Sequence, residues 1–114
     1  MAFERKKIII RDFFTCQSCG EPVPNYKIQI AHKIKQGEGS ENYIKDWLRG
    51  KGLDFSANRI RQDFINNERN VCVTCSSRCN DKQNIFFNPV KRDALLEEIF
   101  VTLPEYQSLT CNLS

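Results

Sequence analysis

Four cysteines in two pairs constrain this chain more than any other feature of its sequence. Two residues separate Cys16 from Cys19, and three separate Cys75 from Cys79. Both spacings are typical of thiolates that turn toward one zinc ion, and the two pairs together supply the four ligands of a tetrahedral site. A chain of 114 residues builds a modest core, so such an ion would add directly to its folding free energy.

The other two cysteines leave alternatives open. Cys72 and Cys75 form a competing pair with two residues between them, and in that register Cys79 is spare. We favour Cys75 with Cys79, because these two bracket the turn into a predicted helix whereas Cys72 falls within a predicted strand. Cys72 and Cys111 are expected to be small buried apolar side chains. In a secreted chain, six cysteines would equally suggest three disulfides.

The first residues of the chain are not expected to form a secretion signal, because the isoleucines at positions 8–10 are followed at once by Arg11 and Asp12. No apolar run approaches the ~20 residues that cross a bilayer, so no membrane partner is expected. We therefore expect a cytoplasmic protein, a setting in which clustered cysteines hold metal more often than they form disulfides. The formal charge of +3, from 17 basic and 14 acidic residues, permits a nucleic-acid partner without requiring one.

The pattern of apolar residues predicts an α+β fold in a single domain over residues 1–114. Two strands are expected, at about 27–32 and 70–74. The core of the domain is expected over 5–84, interrupted by a helical insertion over 40–69.

Apolar residues at helical spacing predict where the helices lie. Pro104 is expected to end the last helix, which leaves the tail after it loose. The residues expected to face inward from the first helix are Ile8, Ile9, Phe13 and Phe14. The predicted helical ranges are 4–14, 41–49, 57–65 and 88–103, with a further helix that starts at Ser76 or Ser77 and carries Asn80 and Asn84.

The single histidine of the chain, His32, ends the first predicted strand and lies between the two cysteine pairs. A neutral imidazole can take a proton from water and so generate a hydroxide that attacks phosphorus. Lys33 and Lys35 beside it would attract a phosphate group. Asn80 and Asn84 lie four positions apart, hence on one face of the predicted helix, and amide oxygens suit Mg²⁺ or another divalent cation.

Taken together, these motifs resemble the HNH endonucleases, also called ββα-metal or His-Me finger nucleases. The resemblance covers roughly residues 5–84, and the motifs are most like those of restriction-enzyme-like members of that family. The residues that carry it are Cys16 and Cys19, the run Ile30-Ala31-His32-Lys33-Ile34, the pair Asn70-Val71, and Cys75 with the run Cys79-Asn80-Asp81.

The resemblance implies an antiparallel ribbon of the two predicted strands with a helix crossing it. It also implies a role for each matching residue. His32 matches the general base, and Asn70 matches the asparagine that ties the loop around that base by hydrogen bonds. Asn80 matches the helix residue that binds the catalytic metal, and Asn84 matches a further position used by some members. The two cysteine pairs match the structural zinc site that many members have.

One departure from the family pattern concerns the residue before the base, which is normally an acidic metal ligand and here is Ala31. Three outcomes are open at this point. Another carboxylate, Asp81 or Glu38, reaches the ion; or Asn80 and Asn84 hold it together with water and DNA phosphates; or the site is weakened or inactive.

Three functions follow from these observations. The first is a bacterial or phage-encoded DNA endonuclease that depends on a divalent cation and acts as a homodimer to cut both strands. The second is a zinc-dependent DNA- or RNA-binding module of the same fold without catalysis, which Ala31 favours. The third is a protein-interaction module, which the modest charge favours. The candidate phosphate contacts are Lys33, Lys35, Arg59, Arg61 and Lys82.

Overall fold

A two-stranded sheet and six α-helices form the fold in this computed structural model, which describes the backbone of residues 2–113 and the side chains of residues 2–109. The strands are β1 (Gln29–His32) and β2 (Val71–Thr74). The helices are α1 (Arg5–Arg11), α2 (Glu38–Arg49), α3 (Ala57–Ile60), α4 (Ser77–Lys82), α5 (Pro89–Phe100) and α6 (Pro104–Leu113). The α+β class expected from the sequence is confirmed.

The two strands pair as an antiparallel ribbon, as expected, with His32 opposite Val71. β1 begins two residues later than expected, because a 3₁₀ turn over Asn25–Lys27 follows Pro24. α4 contacts both strands, and α1 contacts β2. β2 is therefore buried along its whole length.

The first helix is shorter than predicted, since α1 ends at Arg11 rather than at residue 14. Asp12 turns its carboxylate to the backbone N–H of Val73, at 2.9 Å, and the chain reverses direction there. Phe13 and Phe14 take left-handed backbone conformations, with φ of 56° and 53°, and both side chains are exposed. The prediction that they face inward is wrong, because the reversal that brings the first cysteine pair to the sheet overrides the helical pattern.

The segment between the two strands is helical, although its boundaries differ from the predicted ones. α2 begins at Glu38, three residues earlier than expected, directly after Gly37 with a φ of 138°. Ser56 caps α3 by accepting the backbone N–H of Arg59 at 3.2 Å. The predicted helix over 57–65 continues beyond α3 as a π-helical turn over Arg61–Ile65.

The chain after Pro104 is helical, so the expected loose tail is wrong for residues up to 113. Pro104 does follow the end of α5, but it also occupies the first position of α6. Proline fits the first turn of a helix because an N–H group there has no intrahelical partner to lose. A proline that stops one helix can therefore start the next.

Two groups of buried side chains form the interior. Asn70 joins them: it precedes Val71 of the first group and hydrogen-bonds Ile34 and Ile65 of the second. The first group, the sheet cluster, contains Ile8, Ile9, Cys16, Val23, Ile28, Val71, Val73 and Cys79. The second group, the helical cluster, contains Ile34, Ile44, Leu48, Phe55, Ile60, Phe64, Ile65, Leu95, Leu96, Ile99 and Phe100.

Among the helices of residues 2–113, none has the length and apolar character needed to span a bilayer.

Candidate metal centre and histidine pocket

The two predicted cysteine pairs meet at one point of the structure. The Sγ atoms of Cys16, Cys19, Cys75 and Cys79 all lie within 4.8 Å of one another. The Sγ of Cys75 is 3.7 Å from that of Cys19 and 3.6 Å from that of Cys79. Four sulfurs held at about 2.3 Å from one tetrahedral ion would lie about 3.8 Å apart. The donor set, which we call the tetrathiolate cluster, therefore fits a metal ion such as zinc.

Local hydrogen bonds shape the loop that carries the first cysteine pair. The backbone N–H of Cys16 donates to the carbonyl of Glu21 at 2.9 Å, and the N–H of Gly20 donates to the carbonyl of Cys16 at 2.8 Å. Gly20 has a φ of +80°, a conformation that glycine adopts without steric cost. The hydroxyl of Ser18 donates to the carbonyl of Cys79 at 2.6 Å, which fixes this loop directly against α4.

Because the four sulfurs lie close together, their thiols have different pKa values. Burial acts to raise the pKa of Cys16, but the backbone N–H groups of Cys19 and Ser18 point at its sulfur and bring the pKa down to about 6. The neighbouring sulfur of Cys79 raises the pKa of Cys75 to about 12. One thiolate in such a group suppresses the ionisation of the next, and a bound cation reduces that repulsion by coordinating all four sulfurs as thiolates.

Cys72 lies outside the tetrathiolate cluster, so the competing pair with Cys75 is not the one that the structure assembles. Its side chain is buried in β2, as expected from the sequence. Burial raises the pKa of Cys72 to about 11, which keeps it a neutral thiol. The corresponding expectation for Cys111 lies outside the described side chains.

His32 ends β1 and has a half-buried ring. Its Nε2 lies 3.0 Å from the Oδ1 of Asn66, and the edge of its ring contacts Phe3 at a centroid distance of 5.9 Å. Sequence reasoning missed both partners. No spacing in the chain relates Asn66 or Phe3 to His32, because the contacts arise from packing between distant segments.

Asn70 is fully buried and holds the loop that follows His32. Its Oδ1 accepts the N–H of Ile34 at 2.8 Å, and its Nδ2 donates to the carbonyls of Ile34 and Ile65 at 3.0 and 2.8 Å. The carbonyl of Asn70 also accepts the N–H of Lys33 at 2.8 Å. One buried side chain thus fixes the path of the backbone directly after the histidine.

A pocket of about 290 Å³ brings two of the predicted site residues together. His32 and Asn80 both line it, and Lys35 stands at the same pocket. β1 supplies the histidine, while α4 supplies Asn80 and is capped by Ser76, whose hydroxyl accepts the N–H of Cys79 at 3.2 Å. We call this site the histidine pocket.

The other predicted ligands of a catalytic cation do not reach the histidine pocket. α4 ends at Lys82, so the prediction that Asn84 shares a helix face with Asn80 is wrong. The chain turns there to bring the N–H of Ile85 to the carbonyl of Lys33, at 2.9 Å, and the Oδ1 of Asn84 accepts the N–H of Phe86 at 3.0 Å.

None of the described side chains that line the histidine pocket is a carboxylate. Asp81 is exposed on α4 and does not line it, and Ala31 before the histidine is fully buried in the sheet. Glu38 begins α2 and does not line the pocket either. In the described part of the chain, the tetrathiolate cluster is the one group of potential metal ligands that contains three or more cysteine, histidine or acidic residues.

The five residues predicted to contact phosphate differ in whether their charges are already paired with carboxylates. Arg59 pairs with Asp63 and with Glu105, and its guanidinium also lies over the ring of Phe55. Arg61 pairs with Glu41 at 3.1 Å.

The three lysines are more available than the arginines. Lys33, Lys35 and Lys82 have no ion-pair partner among residues 2–113. Lys35 lines the histidine pocket, and Lys33 lines a neighbouring polar cavity of about 480 Å³.

Fold and site together define a small α+β protein with a candidate tetrathiolate metal site and a histidine pocket beside it. Comparison of the chain with family models, with curated proteins and with solved structures finds no match.

Proposed function

We propose that this protein is an HNH-type DNA endonuclease whose ribbon and α4 are held together by zinc in the tetrathiolate cluster. One observation carries the proposal: His32 from β1 and Asn80 from α4 line the same pocket. The resemblance implies His32 as the general base and Asn80 as the helix residue that binds the catalytic metal.

His32 would act as the general base of the reaction. Its imidazole takes one proton from a water molecule, and the resulting hydroxide attacks phosphorus as the P–O ester bond on the opposite side breaks. The leaving oxygen takes a proton from solvent. The ammonium group of Lys35, at the same pocket, would attract the phosphate and stabilise its developing negative charge.

A resident Mg²⁺ does not fit the described side chains around the histidine pocket. Mg²⁺ sites in proteins use carboxylates together with waters and substrate phosphates, and the lining of this pocket contains no carboxylate. The proposal therefore assigns no step to a protein-held catalytic cation. A requirement for Mg²⁺ or Mn²⁺ is a question for the assay itself.

The lysines that have no ion-pair partner in the described part of the chain favour a path of the DNA backbone past the histidine pocket. Lys35 is the leading candidate contact because it lines the pocket, and Lys33 and Lys82 are further candidates. The ion pairs of Arg59 and Arg61 reduce the availability of these two arginines. Each phosphate contact that is removed should reduce the slope of log K for DNA binding against log[salt] by about one, because one fewer counterion is released. A Lys35→Ala variant should therefore bind DNA more weakly and with a shallower dependence on salt.

Nicking of supercoiled plasmid, with Mg²⁺, with Mn²⁺ and with chelator, tests the proposal. The wild-type protein should nick the plasmid, His32→Ala should not, and Asn42→Ala, an exposed position on α2, should match the wild type. Equal nicking by the wild type and His32→Ala, both shown to be folded and equally loaded with zinc, would remove His32 from the mechanism.

A second function, nucleic-acid binding without catalysis, is favoured by the lack of a carboxylate in the histidine pocket and by the buried Ala31. This alternative predicts no nicking by the wild type under any metal condition, together with a gel shift that weakens steeply as salt rises. An affinity that stays flat across salt would argue against phosphate contacts, and hence against both functions.

A further inference from the structure

The hydrogen bond of His32 to Asn66 has a chemical consequence for the ring. The Oδ1 of Asn66 lies 3.0 Å from Nε2, and the two residues are 34 positions apart in the chain. An amide oxygen can only accept a hydrogen bond, so Nε2 must carry the proton in this arrangement. The neutral ring then has its lone pair on Nδ1.

The second ring nitrogen, Nδ1, is not engaged in the same way. Within the described part of the chain, Nδ1 of His32 has no hydrogen-bond partner. The ring lines the histidine pocket, whereas Asn66 does not. Because Nε2 is engaged by Asn66, Nδ1 is the ring nitrogen that remains available to a group in the pocket.

Asn66 is itself held on both sides. Its backbone N–H donates to the carbonyl of Arg61 at 2.8 Å, which closes the π-helical turn, and its carbonyl accepts the N–H of Phe3 at 2.8 Å. The ring of Phe3 also contacts the edge of the His32 ring, with an interplanar angle of 71°. The N-terminal segment before α1 therefore fixes the asparagine and the histidine at once. π-helical turns are rare in proteins and are frequently found at functional sites.

We infer that Asn66, held in place by Phe3, is a positioning residue that fixes His32 as the Nε2–H tautomer with Nδ1 presented to the pocket. The catalytic meaning of this arrangement rests on the proposed function, because a base needs its lone pair on the side where water and phosphate arrive. The tautomer itself does not depend on catalysis. It can be measured whether or not the protein cuts DNA.

Ring ¹⁵N NMR tests the inference on the intact protein, and the presence of one histidine in the chain makes the spectrum unambiguous. With ¹⁵N-labelled histidine, at a pH where the ring is neutral, we expect a protonated Nε2 whose hydrogen exchanges slowly with water. A protonated Nδ1 would overturn the inference, since the amide nitrogen of Asn66 would then face the ring. A rapidly averaging mixture of tautomers would overturn it as well.

Three variants and one control separate positioning from general stability. Asn66→Asp keeps an oxygen acceptor and should keep the Nε2–H form, whereas Asn66→Ala should lose the slow exchange of that hydrogen. Phe3→Ala should speed the same exchange, and Asn42→Ala should leave it unchanged. Retention of slow exchange in a folded Asn66→Ala protein would contradict the inference.

Nicking by the same proteins distinguishes this inference from the proposed function. If the wild type cuts DNA, Asn66→Ala should cut about tenfold more slowly because its base is misaligned, and Asn66→Asp should recover most of the rate. If the wild type does not cut, yet its Nε2–H form is found and depends on Asn66, the nuclease proposal fails while the positioning role stands. If it cuts with Nδ1 protonated, only the positioning role fails.

Discussion

Asn70 shows how one buried amide can hold a loop. Its side chain makes three hydrogen bonds with backbone groups of Ile34 and Ile65, and it is fully buried. Asparagine suits this position because it offers an acceptor and two donors without a charge. The loop so held is the one that begins directly after His32.

Replacement of Asn70 by alanine should therefore be severe. We expect Asn70→Ala to lower the free energy of unfolding by about 3 kcal/mol, because backbone groups of Ile34 and Ile65 would stay buried without partners. Urea denaturation followed by circular dichroism measures the change. Asn42→Ala, which is exposed, should differ from the wild type by less than about 0.5 kcal/mol. A similar small effect for Asn70→Ala would mean that the loop is held by other contacts.

The backbone of Phe13 is strained, although the side chain of this residue is not buried. A bulky residue in the left-handed region costs about 1–2 kcal/mol, and its side chain is 84% exposed. We expect Phe13→Gly to raise the free energy of unfolding by about 1 kcal/mol, since glycine adopts the same φ without strain. Thermal or urea unfolding measures the gain.

Phe87 provides the matched control, because it is equally exposed at 84% and does not have a positive φ. Phe87→Gly should lower stability, since it loses the ring contact with Phe86 and adds freedom to the unfolded chain. If both glycine variants are destabilised alike, the backbone of Phe13 is not the source of strain.

At the scale of elements, a polar contact joins α2 to α5. The hydroxyl of Tyr43 donates to Asp93 at 2.6 Å, and the guanidinium of Arg92 stacks on the tyrosine ring at 3.9 Å. The hydrogen bond from Tyr43, followed by the contact with Arg92, lowers the pKa of Asp93. Burial, followed by the bond to Asp93, raises the pKa of Tyr43.

These opposite shifts predict the pH range in which the contact stabilises the fold. The contribution of Asp93 is present above the usual pKa of a carboxyl and is lost as pH falls through the lowered value. The contribution of Tyr43 is present below the usual pKa of tyrosine and is lost as pH rises through the raised value. The contact is therefore strongest across the neutral range.

Tyr43→Phe should lower the free energy of unfolding by about 1 kcal/mol at neutral pH, a modest value because Asp93 is partly exposed and water screens the contact. The difference from the wild type should shrink in acid, where Asp93 becomes protonated. Urea unfolding of both proteins across pH measures this. A difference that is constant from neutral to acid pH would show that the ring packing of Tyr43, rather than its hydroxyl, supplies the effect.

At the scale of the whole molecule, the two buried clusters depend on different forces. The sheet cluster contains Cys16 and Cys79 of the tetrathiolate cluster, whereas the residues described for the helical cluster include no cysteine. An ion bound to the four sulfurs would join loop, ribbon and α4, and its binding free energy would be folding free energy for that half.

Removal of metal should therefore loosen one half before the other. After chelation, or in Cys79→Ser, we expect amides of β2 to lose protection from hydrogen exchange while those of α5 around Leu96 stay protected. Hydrogen exchange read by mass spectrometry measures both regions. Cys72→Ala, which leaves the tetrathiolate cluster intact, should retain metal and protection in both. Simultaneous loss of protection throughout would show that the two clusters unfold as one unit.

The sequence by itself determined the features that depend on near neighbours. The spacing of Cys16 to Cys19 and of Cys75 to Cys79 indicated a four-sulfur site. The helices predicted over 57–65 and 88–103 begin within one residue of α3 and α5, which Ser56 and Asn88 cap in the structure. Caps, alternation and ligand spacing act within a few residues, so they can be recognised in a linear sequence.

Only the tertiary structure decided which side chains face His32. Asn66 and Phe3 reach the ring from distant segments, and Asn84 leaves the helix because the chain must turn to meet the carbonyl of Lys33. The same need to reach the sheet ended α1 early and left Phe13 in a left-handed conformation. Such contacts depend on how separate elements pack, and no local pattern of residues encodes that geometry.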